Sequence, residues 1–546
     1  MSSLSTYLAV IAVIVATLLW RVRNGPLHPP SPPRRWLIGN LLEMPRTTDT
    51  KKLAFWKEQH GALTYLTAFG RSVLVLHTAE VIKELLDKRA KTYSHRPHTV
   101  MAGELYGLDK TIVFFDYNDR YRAIRRLTQQ VLNPEASKKY QALQLDCIKL
   151  MLQRMLEDPD DFKEQSRLAV SRMILTITYG VDIKTADSEY IAEAQLTMDT
   201  MTSAAMPGAF VVDLIPILKH LPRWVPFTTF HQIGDFGRDL INRFVTRPFD
   251  HVERTLANGQ APPSFVADIL TDEEALAKNG RYSENMMQDI KWAAGSLFAG
   301  AICFAFVIEI TEFHGLQSAG VETSFTTMLI IFLLMALHPH EQKKAQQEID
   351  SITGGGQRTV SLEDRPNMPY MRALLKEVAR WHVVVPMSMP PVFWSIEVLA
   401  YNLLLEGVPR RTAETDIYNG YTIPADTIVV PNIWALSQTV DDPQKFDPER
   451  FLDEDNATQS PYEYIFGFGR RVCPGRYIAE NFLFLWTTNL LQFFNVQQPD
   501  RPVAGLKMPA ETTFTTAMVS APEAFACKIT PRSEVHRETV SSFRVE

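Results

Sequence analysis

The sequence predicts a mainly α fold with small β-sheets (α+β), preceded by one N-terminal transmembrane helix. Three observations carry this: apolar residues recur at helical spacing over most of the chain, strand-like runs are short, and one long uncharged stretch lies at the start. With 546 residues, 46% hydrophobic and 10% aromatic, the chain buries a large core, and its 25 Gly and 34 Pro follow no period, which excludes a collagen-like chain. The 56 Lys+Arg and 62 Asp+Glu form no basic block, so no nucleic-acid partner is expected. Cys147, Cys303, Cys473 and Cys527 lie far apart without a CxxC, which signals neither a disulfide scaffold nor a cysteine zinc site and suits a reducing compartment.

In chain order, Leu4–Trp20 is almost wholly apolar and as a helix spans about 26 Å, close to a hydrocarbon core of roughly 30 Å. A cleaved signal peptide needs a basic start and a small-residue cleavage site, and neither is present. Arg21, Arg23, Arg34 and Arg35 follow the run, placing the body on the cytoplasmic side. Residues 1–23 are read as the membrane anchor and 24–50 as a Pro-rich linker, with Pro26–Pro33 a stiff spacer holding the body at a fixed stand-off. Helices are expected over Lys51–His60, Ala79–Arg89, Asp119–Val131, Glu135–Glu157, Tyr190–Ser203, Phe236–Ala257, Met368–His382 and Tyr477–Phe494. One very long helical pattern runs from Met286 to Leu337 and stops before Pro339. Strands are expected at Leu63–Phe69, Val73–His77, Tyr421–Val430, Thr512–Val519 and Ala526–Thr530, with no internal repeat. Polar 531–546 reads as a loose tail.

The sharpest chemical feature is Phe466-Gly467-Phe468-Gly469-Arg470-Arg471-Val472-Cys473-Pro474-Gly475, just before an apolar helix. A thiolate ligand must be stabilised, and a helix N-terminus does so through its unpaired N–H groups and dipole. Gly469 and Gly475 let the backbone turn tightly against a flat cofactor, and Arg471 offers charge to an acidic group on it. A lone cysteine is usually a buried structural residue. The surrounding fixed positions overturn that reading, because the segment resembles the haem signature F-x-x-G-x-R-x-C-x-G of the cytochrome P450 family.

That resemblance implies the cytochrome P450 fold over about residues 30 to 530, so 51–530 form a single haem-thiolate catalytic domain. It makes Cys473 the metal ligand, whose thiolate favours O–O cleavage. Arg471 becomes a partner of a haem propionate, and Phe466, Gly469 and Gly475 shape the cofactor loop. Glu377 and Arg380 match the family's E-x-x-R helix, and Phe446–Phe451 resembles its P-E-R-F segment. A buried Glu377–Arg380–Arg450 triad would lock the core on the haem side. Tyr121 and Arg125 resemble the W-x-x-x-R that reaches the propionates; Tyr121 replaces Trp and keeps a hydrogen-bond donor. Arg96-Pro97 resembles an Arg-Pro step before a substrate-contacting segment. Ala319–Ser324 resembles the oxygen-activation motif, with Thr323 and Glu322 as the catalytic hydroxyl and acid that relay protons. Val385, Met387, Met389, Phe298 and Met518 are expected to line the substrate pocket.

A continuous helix from Met286 to Leu337 would be about 78 Å long, whereas a domain of this size is about 60 Å across. Removing Ala301–Ala319 leaves the oxygen motif readable and shortens the helix to about 50 Å. A second apolar segment, 391–410, interrupts the run from the E-x-x-R helix to the next strand and displaces the family's basic residue there, for which Arg410 and Arg411 are the candidates. Both segments are read as insertions of the kind left by unspliced introns, the first breaking the helix near His314-Gly315.

The resemblance therefore implies an endoplasmic reticulum haem-thiolate monooxygenase of a fungal microsomal kind. It would insert one atom of dioxygen into a small apolar substrate, in natural-product tailoring or xenobiotic oxidation, with electrons from NADPH through a separate reductase. Two alternatives stay open: a haem-thiolate isomerase or dehydratase, and a haem protein made inactive by the insertions.

Overall fold

A computed structural model describes residues 26–35, 38–40, 43, 50–68, 70–185, 188–205, 210–226, 228–272, 283–302, 323–356, 358–386, 409–453, 458–515 and 520–545. The anchor 1–23, Glu322, Met387, Met389, Met518, the His314-Gly315 break and most of both inferred insertions lie outside the described residues. Among the described residues no single helix is long and apolar enough to cross a membrane.

The Pro-rich segment is fastened to the body. Tyr65 N donates to the Pro30 carbonyl at 2.8 Å and Thr422 N to that of Leu27 at 2.6 Å. His28 stacks on Tyr65 with ring centroids 4.9 Å apart. Prolines bring carbonyls without N–H groups of their own, which makes such a run an acceptor strip for unpaired strand donors.

Helix α1 (Thr50–His60) leads into β1 (Leu63–Ala68) and β2 (Arg71–Leu76), an antiparallel pair in register from Leu63↔Leu76 to Ala68↔Arg71. The expected helix Ala79–Arg89 winds as one α-turn and then more widely over Lys83–Lys88. Helix α2 (Asp119–Leu132) starts where the Asn118 side chain accepts from Tyr121 N. The expected Glu135–Glu157 helix splits into Pro134–Lys138 and α3 (Gln141–Glu157). The pattern reading missed α4 (Phe162–Tyr179), because it is buried on nearly every face and shows no amphipathic period. Next come α5 (Glu189–Ala205), α6 (Phe230–Ala257), α7 (Glu284–Ile302), α8 (Thr323–Leu337), α9 (Pro339–Thr353) and α10 (Pro369–Trp381).

Strands β3 (Arg410–Arg411), β4 (Asp416–Tyr418), β5 (Tyr421–Ile423) and β6 (Ile428–Pro431) follow. The single expected strand Tyr421–Val430 is thus two strands in different sheets: β5 pairs with β4, while β6 lies between β2 and β3 in the order β1-β2-β6-β3. Helix α11 (Arg476–Phe493) then leads straight into β7 (Phe494–Gln497), which pairs with β8 (Lys528–Pro531). The described part of Thr512–Val519 makes only an isolated bridge, Phe514 to Pro522. The tail is not loose: α12 (Glu534–Ser541) buries Val540 completely, and Phe543 meets Phe493 edge-on at 5.4 Å.

Helices α3, α4, α8 and α11 form the core, with fully buried Trp486 donating from Nε1 to Met151 Sδ at 3.0 Å and meeting Phe332 edge-on at 5.3 Å. This rigid stack places the start of α11 opposite the start of α8.

Candidate cofactor and active site

The loop before α11 is shaped by its glycines. Cys473 N donates to the Phe466 carbonyl at 2.8 Å, closing the loop on itself. Gly469 has φ 50°, and a Cβ there would sit 2.2 Å from the Leu86 carbonyl oxygen, so only glycine fits. Burial pushes the Cys473 thiol above its ordinary pKa; the Gly475 and Arg476 amides, which hydrogen-bond toward the sulfur, and the Arg125 charge oppose that rise. The sulfur thus sits against the first-turn amides of α11, as expected for a stabilised ligand, and a bound metal ion deprotonates a thiol outright.

Cys473 opens onto a cavity of about 460 Å³. Four guanidinium side chains, Arg96, Arg125, Arg410 and Arg471, line it. Each donates to a main-chain carbonyl: Arg125 Nη2 to Val472 (2.6 Å), Arg471 Nε to Ser94 (2.8 Å), Arg96 Nε to Val113 (2.8 Å) and Arg410 Nη2 to Phe468 (2.6 Å). Arg410 Nη1 is buried with no hydrogen-bond partner. Burial pulls Arg410 down to about 10, and burial also lowers Arg471 and, with the charges of Arg471 and Arg410, Arg96. The one carboxylate among the described lining residues, Glu480, is engaged by Arg476 at 2.6 Å. Such a cluster of positive charge is costly to bury until an anion meets it. A planar cofactor carrying two carboxylates, with a metal for Cys473, fits that donor set.

The expected residues fall into place unevenly. Tyr121 lines the cavity, yet its hydroxyl donates to the Arg470 carbonyl at 2.7 Å; its contribution is the ring lying 4.0 Å from the Arg471 guanidinium. Phe466 and Gly475 are in the wall. The triad forms: Arg380 Nε and Nη2 each lie 2.7 Å from Glu377, and Arg450 Nε lies 3.2 Å from Glu377 Oε1. Thr323 opens α8 at the cavity beside Ser324 and Thr327. Val385 lines the cavity, but Phe298 does not. Its neighbours Ser296 and Leu297 do, and at about 100° per helical residue Phe298 turns into the core, stacked on Phe244 at 4.7 Å.

Arg410 and Arg411 are also separated. Arg411 bonds Asp116 at 3.1 Å and Asp426, away from the cavity, while Arg410 points into it. Arg410 therefore belongs to the site. Arg96 joins the charged rim, where the Arg-Pro step had suggested a substrate segment. Sequence reasoning missed His382, Ser296 and Thr327, all lining residues. Only the position of His382, two residues beyond the E-x-x-R helix motif, offered a signal.

A family model described as Cytochrome P450 matches residues 29–302, 310–393 and 397–518. Its two breaks fall inside the two inferred insertions. Over 541 residues the chain is 32% identical to cytochrome P450 monooxygenase COX2 of Coprinopsis cinerea, covering 97% of this chain and 94% of that protein. It is 31% identical to cytochrome P450 monooxygenase claR of Ampulloclitocybe clavipes, covering 95% and 89%. The solved structure of a zebra fish cytochrome P450 with progesterone superposes with a TM-score of 0.64 at 23% identity, covering 88% of this chain and 98% of that one.

Proposed function

The chain belongs to the cytochrome P450 family, and from that premise we propose that it is a membrane-anchored haem-thiolate monooxygenase inserting one atom of dioxygen into a small apolar organic substrate. The observation that carries the reading is Cys473, set against helix amides and facing a largely apolar cavity rimmed by the guanidinium groups of Arg96, Arg125, Arg410 and Arg471. Haem bound there supplies the redox chemistry that activates dioxygen. Cys473 holds the metal as thiolate. Arg96, Arg125, Arg410 and Arg471 take up the two propionates, with Arg410 Nη1 the unused donor. Thr323 Oγ1 delivers a proton into the cavity, and Glu322 recharges it. The apolar wall, including Val385, Leu297 and Ile330, excludes water and orients the substrate.

In this reading NADPH electrons arrive through a separate reductase, as in the family at large. The apolar stretch Leu4–Trp20 holds the protein on the endoplasmic reticulum with its body cytoplasmic. The substrate belongs to natural-product tailoring or xenobiotic oxidation. The test is Cys473→Ser in the full-length protein. The thiolate-haem band of the reduced carbon-monoxide complex and oxygen insertion should both vanish while helix content stays. A variant that keeps that band overturns the reading.

A further inference from the structure

We infer that His382 sets substrate specificity by presenting a bare ring nitrogen to the cavity, which accepts a hydrogen bond from a hydroxyl or N–H on an otherwise apolar substrate. This rests on the monooxygenase reading of the cavity and adds the chemical class of what enters it.

His382 caps α10 and lines the cavity next to Val383, Val384 and Val385. Its Nε2 lies 3.0 Å from the Ser520 carbonyl oxygen. A carbonyl only accepts, so Nε2 carries the hydrogen and the lone pair of the neutral ring sits on Nδ1. Burial holds the imidazole at about 4, so it stays neutral at physiological pH. The ring is fixed in orientation, stacked on Phe514 with centroids 3.7 Å apart. Ser520 N in turn donates to the Val384 carbonyl at 2.9 Å, so this stretch of wall is tied twice. Among the described residues no group donates to Nδ1. A bare acceptor beside an apolar cavity is unfavourable until something donates to it.

A neighbouring hydroxyl leans the same way. Thr327 Oγ1 donates to the Thr323 carbonyl at 2.6 Å and so has its lone pairs to offer, while Ser296 Oγ donates to the Trp292 carbonyl at 2.6 Å and already accepts from Ile112 N at 3.2 Å. The unpartnered Thr178 hydroxyl turns either way. Beside His382 the cavity thus favours a donor over an acceptor. An alcohol fits better than the parent hydrocarbon or the ketone, and a hydroxyl-forming reaction, either an earlier oxygen insertion or a carbonyl reduction, must supply the substrate.

The ferric full-length holoenzyme is titrated with 1-adamantanol, adamantane and 2-adamantanone, with binding read from the haem spin-state shift. The alcohol should bind about tenfold more tightly than the other two. His382→Phe keeps the ring stack and removes the lone pair, so it should bring the three affinities together by weakening the alcohol alone, while His382→Gln, which retains an acceptor, should restore part of the difference. Equal binding of alcohol and ketone by the unaltered protein overturns the inference without any variant. So does a His382→Phe protein that keeps both its carbon-monoxide band and the alcohol preference. Loss of that band in the unaltered protein would strike the monooxygenase reading instead, so the two failures are distinguishable.

Discussion

Glu377 is fully buried and accepts from Arg380 Nε and Nη2, Arg450 Nε and the Asp447 amide. Removing one partner from such a site strands a buried charge. Arg380→Leu should therefore destabilise the folded protein by about 3–5 kcal/mol, and Arg450→Leu by less, because Arg450 keeps 12% side-chain exposure against 1% for Arg380. Thermal unfolding of the holoenzyme reads both. The paired arginines of β3 offer a sharper contrast. Arg410→Ala should speed haem transfer to apomyoglobin by about tenfold, and Arg411→Ala, whose side chain bonds Asp116, Asp426 and the Arg96 carbonyl outside the cavity, should change it far less. Equal rates for the two variants would remove Arg410 from the cofactor site.

Within single elements, backbone geometry decides the outcome. An alanine at Gly469 would force its Cβ against the Leu86 carbonyl, a main-chain atom that cannot swing aside. Gly469→Ala should therefore fail to retain haem, whereas Gly467→Asn should retain it. Gly467 has φ 78°, which Asn tolerates, and its nearest neighbour, the Arg471 carbonyl oxygen, is 3.6 Å away. The four-stranded sheet carries its own acid sensitivity. His77 at the end of β2 is bonded to Thr64 at 2.9 Å and Asn432 at 3.0 Å. Burial, then the charges of Lys57 and His60, lower it from 6.5 to about 4. The unfolded chain binds the proton first as pH falls, so this stabilisation is complete above about 6.5 and is lost through about 4, with a full value of about 3 kcal/mol. Denaturant unfolding between pH 7.5 and 4.5 should show that slope, and His77→Gln should flatten it.

For the molecule as a whole, the length of the helix over the cavity remains the constraint. The described residues of the long helical pattern lie in α7 (Glu284–Ile302) and α8 (Thr323–Leu337), and the family match breaks at 303–309 and 394–396. A chain lacking 301–319 and 391–409 keeps every described lining residue and gives up the Pro409 carbonyl, which accepts from Arg96 Nη1 at 2.9 Å. Deleting both segments should raise haem incorporation, read as the reduced carbon-monoxide band per mole of protein. Unchanged or lower incorporation would count against their being insertions, as would spliced transcripts that retain both.

Cys473, Gly469, Glu377 and Arg380 were legible in the chain because metal ligation, a left-handed turn and an i,i+3 ion pair each demand particular residue types within a few positions. Helix α4 was not, since burial on all sides erases the period that marks a surface helix. Nor were the roles of Arg410 and His382. Their partners lie far along the chain, Phe468 at a separation of 58 residues and Ser520 at 138. Local sequence determined the chemistry of the ligand and its loop. Only packing decided which arginine faces the cavity, where Phe298 turns and which nitrogen of a histidine is left bare, because those depend on which distant carbonyls and rings the tertiary fold brings alongside.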